Sequence, residues 1–229
     1  MKRIFLADLH GNLPATLAME RALTACAADE TWFLGDAVGK GPSNAETCDW
    51  TRAHCQHWIG GNWDYGIGGK EYSEDQYFWD QLGPERMAWL NGLPREGEVT
   101  MGGLRFRLFH GRPVTPLLRA QDDKDLLASC FHTDQGDFDG VIFADSHRPF
   151  IRTLNCGYII NTGSVGNSMG VPRAHALMVD EGPVGALSMT ILSVPYDNEA
   201  AAQIAREDAR LPHREAYIHE VLTGIYSRL

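Results

Sequence analysis

The segment KRIFLADLHGN, residues 2–12, begins with an apolar run and ends in polar residues that suit a turn. The part Lys2–Ala7 has the length and composition of a short β-strand, and Asp8 and His10 follow directly after it. A helical pattern then covers residues 15–28. The segment therefore predicts a strand, a loop and a helix, with two polar side chains at the carboxyl end of the strand.

The same unit recurs immediately downstream. A strand pattern at Thr31–Leu34 runs into Gly35 and Asp36, a helical pattern covers residues 45–55, and a further strand at residues 57–59 ends just before Asn62. Parallel strands need crossover connections of this kind. The first part of the chain therefore predicts parallel strands in an α/β fold.

The second part of the chain has a different pattern. Two short helices are predicted within residues 65–93, and two C-terminal helices at residues 198–210 and 213–226. Apolar strand patterns occur between them, at residues 104–109, 141–144, 158–160, 174–179 and 187–194. The last two of these resemble a closing hairpin. No linker or repeat separates the two parts, so residues 1–229 are predicted to form one domain.

Composition limits the classes of protein that this chain can belong to. Its 229 residues are 44% hydrophobic and 22% charged, which excludes a disordered or fibrous chain. A net charge of −10 without a basic run argues against a nucleic acid polymer or an anionic membrane as partner. No apolar run approaches the ~20 residues of a membrane span, and the N-terminal apolar run is too short for a signal peptide. A cytoplasmic protein with reduced cysteines is expected.

Residues that commonly bind metal ions follow the ends of the predicted strands: Asp8, His10, Asp36, Asn62, His110, Asp145 and His147. Ligands bind at the carboxyl ends of strands in open α/β sheets, so these side chains should meet in one crevice. Each residue alone could be a helix cap, a turn residue or a surface histidine, but capping does not require imidazoles at three strand ends. Carboxylate, amide and imidazole ligands suit Mn²⁺, Fe or Zn²⁺. The pattern therefore predicts a metal site.

Six motifs, taken in order, resemble the calcineurin-like metallophosphoesterases, and most closely their small bacterial phosphodiesterase branch, which is related to a retromer scaffold subunit. They are Asp8-Leu9-His10-Gly11-Asn12, Gly35-Asp36, Gly61-Asn62-Trp63-Asp64, His110-Gly111, Asp145-Ser146-His147-Arg148-Pro149-Phe150 and Asn161-Thr162-Gly163-Ser164-Val165-Gly166. The resemblance implies a four-layer α/β/β/α sandwich of two mixed sheets, with a metal site at the carboxyl ends of the strands. It also implies two divalent ions, for which Mn²⁺ is expected, with Fe, Zn²⁺ or Ni²⁺ as alternatives.

The resemblance also implies a role for each ligand. The first ion would be held by Asp8, His10, Asp36 and His147, and the second by Asp36, Asn62, His110 and Asp145. Asp36 would bridge the two ions, a bridging hydroxide would act as nucleophile, and Asp36, Asn62 and His110 would be the catalytic residues. The expected substrate is a small-molecule phosphate ester.

Two positions depart from the common family pattern. Trp63 stands where many members have a histidine that assists the leaving group, so departure without a general acid should favour esters with acidic leaving groups. Asp145 stands where the family usually has a histidine ligand. We expect Asp145 to bind the second ion, the alternative being a hydrogen-bonding role next to the ligands.

Arg112 and Arg148 lie next to ligand-bearing turns and could clamp phosphate oxygens, or could form salt bridges at the rim. The function expected is hydrolysis of small phosphodiesters. The alternative is a non-catalytic metal-binding scaffold or interaction module of the same fold, which the departures at Trp63 and Asp145 would permit. A nuclease is disfavoured by the net charge. Homo-oligomer formation is left open by the sequence.

Overall fold

The computed structural model describes residues 1–134 and 136–228, and it contains two five-stranded sheets and one two-stranded ribbon. The strands in chain order are β1 (Lys2–Leu6), β2 (Glu30–Leu34), β3 (His57–Ile59), β4 (Glu96–Met101), β5 (Leu104–Phe109), β6 (His132–Thr133), β7 (Gly136–Asp137), β8 (Gly140–Phe143), β9 (Phe150–Leu154), β10 (Gly157–Asn161), β11 (Ala174–Glu181) and β12 (Leu187–Val194). The helices are α1 (Leu13–Cys26), α2 (Asn44–His54), α3 (Asn62–Gly68), α4 (Gln76–Asn91), α5 (Lys124–Ala128), α6 (Asn198–Glu207) and α7 (Arg214–Thr223). No helix in the described ranges is long and apolar enough to cross a membrane.

Both large sheets are mixed. The first has the order β12-β11-β1-β2-β3, in which β1, β2 and β3 are parallel and β11 and β12 are antiparallel to their neighbours. The second has the order β4-β5-β8-β10-β9, with a parallel centre and an antiparallel strand at each edge. The parallel strands of each sheet bring their carboxyl ends to one edge.

Three apolar clusters define the layers. Phe5, Leu34, Phe106 and Ile142 belong to the cluster between the two sheets and are fully buried. The outer face of the first sheet packs against the helices α1, α2, α4, α6 and α7. The outer face of the second sheet packs against α5 and the 3₁₀ turn Ser129–Phe131. This arrangement confirms the predicted four-layer α/β/β/α sandwich, and its last layer is a thin one.

The structure adds four strands that the sequence patterns did not predict: β4, β9 and the two short strands β6 and β7. Of these, β4 and β9 are the two edges of the second sheet, and most of their residues alternate between exposed and partly buried positions. An edge strand needs no continuous apolar run, because much of its surface faces solvent. The predicted helices within residues 65–93 are α3 and α4, and α4 is kinked at Gly83 (φ 67°) before Pro84. Both C-terminal helices end about three residues earlier than predicted.

Candidate metal centre

The loops that follow the strands are tied to one another by backbone hydrogen bonds. Asp8 N–H donates to the Gly35 carbonyl oxygen (2.8 Å), and His10 N–H donates to the Asp36 carbonyl oxygen (3.2 Å). In the second sheet, Ala144 N–H donates to the His110 carbonyl oxygen (2.7 Å). The polar residues therefore leave their strands in a fixed register, and the structure brings together the seven residues predicted from the sequence.

Five of these seven residues have left-handed backbone conformations: Asp8 (φ 56°), His10 (φ 47°), Asp36 (φ 61°), Asp145 (φ 65°) and His147 (φ 58°). Residues other than glycine seldom adopt positive φ, although Asp and His tolerate it better than most. Strain of this kind persists only where the surrounding structure enforces it, and it concentrates at functional sites. The left-handed turns point the side chains into one crevice instead of along the strands.

The three imidazoles are oriented by backbone carbonyl groups. His10 Nδ1 lies 3.0 Å from the Val38 oxygen, His110 Nδ1 lies 2.7 Å from the Leu34 oxygen, and His147 Nδ1 lies 2.6 Å from the Asn167 oxygen. A carbonyl oxygen only accepts, so each Nδ1 carries a proton, and in its neutral form each ring has its lone pair on Nε2. A hydrogen bond of this kind fixes the tautomer of metal-binding histidines.

The inward-facing nitrogens lie close to each other and to carboxylates. The Nε2 atoms of His10 and His147 are 3.2 Å apart, and His147 Nε2 is 3.3 Å from Asp8 Oδ1. His110 Nε2 lies 3.3 Å from Asp36 Oδ2 and 3.8 Å from Asp8 Oδ1. Two compact groups result, one with Asp8, His10 and His147 and the other with Asp8, Asp36 and His110. Asp36 Oδ2 also lies 3.6 Å from His10 Nε2, so both carboxylates reach both groups.

Several buried polar atoms in the crevice have no hydrogen-bond partner within residues 1–134 and 136–228. They are both carboxylate oxygens of Asp8, Asn62 Oδ1 and His110 Nε2. Leaving such atoms buried and unpaired costs free energy, typically about 1–3 kcal/mol each. The Nε2 atoms of His10 and His147 also face each other at 3.2 Å, where a cation between them would relieve the repulsion of their lone pairs. The donor set therefore fits divalent metal ions, which would pair all of these atoms.

The electrostatic field of the crevice is strongly negative. Burial disfavours a charge on His110, yet the carboxylates of Asp36 and Asp8 outweigh it and raise the pKa of His110 well above its usual value. Burial likewise opposes ionisation of Asp8, but His147 and His110 hold the pKa of Asp8 well below its usual value. For His10, burial and the nearby Lys40 lower the pKa to about 4. The field thus keeps Asp8 charged and His10 neutral, as their coordination of a metal ion requires, whereas His110 would release its proton on binding an ion.

Asp64 holds the Asp36 loop against the start of α3. Its carboxylate accepts hydrogen bonds from the backbone N–H groups of Asp36 (2.7 Å), Ala37 (2.9 Å) and Gly61 (3.0 Å). Burial, followed by the charge of Asp36, raises the pKa of Asp64 to about 7. Gly61 has to be small here, because a Cβ on it would lie 2.2 Å from Asp36 Oδ1. Asp64 belongs to the motif Gly61-Asn62-Trp63-Asp64, but the sequence does not indicate this positioning role.

The segment Asn161–Gly166 connects the second sheet to the Asp8 turn. Ser164 Oγ and Gly166 N–H both donate to the Asp8 carbonyl oxygen, at 2.9 and 2.8 Å. A Cβ on Gly166 would lie 1.8 Å from the Leu9 carbonyl oxygen, so only glycine permits this approach. The motif therefore stabilises the turn that carries Asp8 and His10, and it contributes no side chain to the groups described above.

Asp145 makes a different set of contacts from the other candidate ligands. Its Oδ1 accepts from Arg112 Nη2 (2.6 Å), and its Oδ2 accepts from Arg112 Nε (2.9 Å) and from the Arg112 backbone N–H (3.0 Å). Burial opposes ionisation of Asp145, but Arg112 and His110 lower its pKa below the usual value. Asp145 Oδ1 lies 4.0 Å from His110 Nε2, so the residue is at the centre while its oxygens are bonded to a guanidinium. Its ligand role stays a prediction.

A cleft of about 880 Å³ opens onto these residues. Trp63 lines one wall, where its ring contacts His10 edge-on at 5.8 Å between centroids and its backbone N–H donates to Asp36 Oδ1 (2.9 Å). Both arginines predicted to contact substrate line the cleft, Arg112 with its side chain half exposed and Arg148 exposed. Lys40 lines the cleft as well, although the sequence analysis did not identify it. Its place in the loop after Asp36 is the sequence feature that could have indicated it.

Comparisons with known proteins agree with this geometry. The family model described as the calcineurin-like phosphoesterase superfamily domain matches residues 1–182. An uncharacterised protein of Methanocaldococcus jannaschii is 27% identical over 222 residues, covering 86% of this chain and 88% of that protein.

Two solved structures share nearly the whole fold. A metallophosphoesterase from Sphaerobacter thermophilus is 23% identical with a TM-score of 0.78, covering 98% of this chain and 99% of that one. A hypothetical protein from Pyrococcus horikoshii is 19% identical with a TM-score of 0.80, and the alignment covers 99% of both chains. Because the family model matches most of the residues, including the candidate centre, this chain belongs to the calcineurin-like phosphoesterase superfamily.

Proposed function

We propose that this protein is a metal-dependent phosphoesterase that hydrolyses phosphodiesters of small molecules. The observation that carries the proposal is the set of buried, unpaired ligand atoms at the carboxyl ends of the strands. A non-catalytic member would gain stability by pairing or replacing these atoms, since each costs free energy when no cation is bound. The net charge of −10 further favours a small ester over a nucleic acid polymer.

The first metal position is assigned to Asp8, His10, Asp36 and His147, and the second to Asp36, Asn62 and His110, with Asp145 next to it. When bound, divalent ions would neutralise the phosphoryl oxygens and lower the pKa of water at the site. Mn²⁺ is the expected ion for this mixture of carboxylate, amide and imidazole ligands. A dinuclear centre of this kind would also allow an acidic protein to bind an anionic ester.

The protein contributes rigid positioning. Carbonyl groups fix all three imidazoles, Asp64 fixes the Asp36 loop, and the Trp63 backbone N–H orients Asp36. Such preorganisation matters because the geometry of the reacting groups does not have to be rebuilt during the reaction. Arg112, held by Asp145 at the mouth of the centre, has a guanidinium that is available to phosphate oxygens on its exposed side.

Trp63 limits the range of esters. Its ring forms a wall of the cleft but has no titratable group, so it cannot protonate a departing alkoxide. We therefore infer that esters with acidic leaving groups are the better substrates.

The decisive experiment combines metal analysis of protein purified without chelator with hydrolysis of bis(4-nitrophenyl) phosphate under added Mn²⁺. Two bound ions together with turnover that disappears on chelation and returns with Mn²⁺ would support the proposal. Bound metal without turnover for any aryl phosphodiester or monoester would support the non-catalytic scaffold instead. Protein that binds no divalent metal at all would contradict both.

A further inference from the structure

Among the cations that line the cleft, Lys40 and Arg228 are connected through one hydrogen-bond network. Lys40 lies in the loop after Asp36 and is only 7% exposed. Its Nζ donates to Asn167 Oδ1 (3.0 Å) and lies 3.5 Å from His147 Nε2. A lysine is seldom buried unless it has an anionic partner. Its position next to a candidate ligand therefore needs an explanation.

The second cation, Arg228, belongs to the segment that follows α7. Its Nε donates to both carboxylate oxygens of Glu220, at 3.1 and 3.3 Å, and the Ser227 N–H donates to Glu220 Oε1 (3.3 Å). Glu220 is fully buried in α7. The segment is also anchored by a hydrogen bond from Gly170 N–H to the Gly224 carbonyl oxygen (2.8 Å). Glu220 and Arg228 both lie beyond residues 1–182, so the family's motifs do not include them.

Asn167 connects the two cations. Its Oδ1 accepts from Lys40, and its Nδ2 donates to Glu220 Oε2 (3.1 Å). This orientation of the amide fits a charged lysine on one side and an ionised glutamate on the other. The backbone carbonyl of Asn167 also fixes His147, so the network is rigidly attached to the centre.

Within residues 1–134 and 136–228 the network contains two cations and one carboxylate, that of Glu220, which Arg228 contacts directly and Lys40 reaches through Asn167. Asp8 and Asp36 also attract Lys40, but bound metal ions would take up the charge of those carboxylates. In addition, Arg228 Nη2 is buried and has no hydrogen-bond acceptor among the described residues. A buried donor and an excess positive charge both point to an anion.

We propose that Lys40 and Arg228 form a subsite for a second anionic group of the substrate, next to the ester that the centre would hydrolyse. This inference rests on the proposed function and narrows its substrate class to small phosphodiesters that also carry a carboxylate or a further phosphate. The same cleft is also lined by the acidic residues Glu71, Glu74 and Asp75, which would repel an anion placed next to them.

The test uses two probes of equal chain length, butylphosphonate and 4-phosphonobutanoate, of which only the second has an additional carboxylate. Binding to the Mn²⁺-loaded protein is measured by calorimetry at low and moderate salt. We expect 4-phosphonobutanoate to bind about tenfold more tightly, with an advantage that is smaller at higher salt. In Lys40→Met and in Arg228→Met the ratio of the affinities for 4-phosphonobutanoate and butylphosphonate should fall close to one. Butylphosphonate should still bind Arg228→Met as it does the wild type.

Arg119→Met is the matched control, because Arg119 is an exposed cation that lines the same cleft and does not contact the network. It should keep the wild-type ratio. If Arg228→Met does not fold with Glu220 unpaired, the double variant Glu220→Gln with Arg228→Met removes both charges of that pair and should show the same loss.

Equal affinities of the wild type for the two probes would overturn the subsite, and so would a wild-type ratio in folded Arg228→Met. Failure of the proposed function is a separate result, since it would appear as absence of ester hydrolysis whatever the ratio of the two affinities.

Discussion

The two halves of the candidate centre differ in what their anionic groups contact. In the half formed by Asp8, His10 and His147, the carboxylate oxygens of Asp8 have no hydrogen-bond partner among the described residues. In the other half, the oxygens of Asp145 are both bonded to Arg112. In the first half Lys40 contacts His147 and Asn167 and leaves the Asp8 oxygens unpaired, while in the second half a guanidinium is bonded directly to the carboxylate. We therefore expect the first metal ion to bind more tightly than the second.

The largest effect is expected at Asp36, because its carboxylate lies within 3.6 Å of His10 Nε2 in one half and 3.3 Å of His110 Nε2 in the other. Asp36→Asn should lower Mn²⁺-dependent hydrolysis by more than about a hundredfold. This exceeds the loss of activity expected when a residue that only hydrogen-bonds to a metal ligand is removed. The measurement is single-turnover hydrolysis of bis(4-nitrophenyl) phosphate, with circular dichroism to establish folding.

The matched control is Asp125→Asn, the same change on the exposed surface of α5. It should leave the rate unchanged. Full activity in a folded Asp36→Asn variant would contradict a centre in which this residue serves both ions.

A direct comparison of the halves comes from His147→Ala and Asp145→Ala. His147 has its Nδ1 bonded to a carbonyl oxygen and its Nε2 3.3 Å from Asp8 Oδ1, so its loss should reduce affinity for the first ion by more than about a hundredfold. Asp145→Ala should weaken binding of the second ion by about ten- to a hundredfold, as for an outer partner. Mn²⁺ titration by calorimetry gives both affinities, with the exposed His132→Ala as control. If Asp145→Ala removes the second ion from the titration altogether, Asp145 is a ligand, as the family resemblance implies.

Arg112→Met should change the affinity for the second ion in the direction opposite to Asp145→Ala. It releases both carboxylate oxygens of Asp145 from the guanidinium, so the second ion should bind more tightly than in the wild type. Loss of a half-exposed cation at the cleft should raise KM for an aryl phosphodiester about tenfold, since solvent screens part of its interaction.

The control for that variant is Arg119→Met, which removes a different cation from the same cleft and should change neither quantity. Weaker binding of the second ion in Arg112→Met would show that the arginine supports this half of the centre instead of competing with it.

The fold, and the position of the candidate ligands at one edge, were predictable to the extent that their signals are local. A buried strand ends in a recognisable way, so residues such as Asp36 and His110 could be placed at one edge without tertiary information. The edge strand β4 could not, because its exposed residues give no apolar run.

Contacts between distant residues were equally hidden from the sequence. Arg112 and Asp145 are 33 positions apart, and Lys40 meets Asn167 across 127. Such pairs depend on how the sheets pack together. The sequence shows that these residues are charged or polar, but it does not show which of them face each other.

The smallest effect is expected at Trp63, the wall residue of the first half, where the family commonly has a leaving-group histidine. Trp63→His should raise the rate for poor leaving groups by only a few fold, well below the ~10²-fold that a fully positioned general acid supplies. The imidazole would lack the packing that Trp63 has against Gly39 and Phe78, so its position would be poorly defined.

Single-turnover rates for a series of aryl diesters test this prediction, with Trp63→Phe as control for packing alone. A shallower dependence on leaving-group pKa in Trp63→His, but not in Trp63→Phe, is the expected result. An equal dependence in all three proteins would show that leaving-group protonation does not limit the reaction, and the departure at position 63 would then have to be explained by packing.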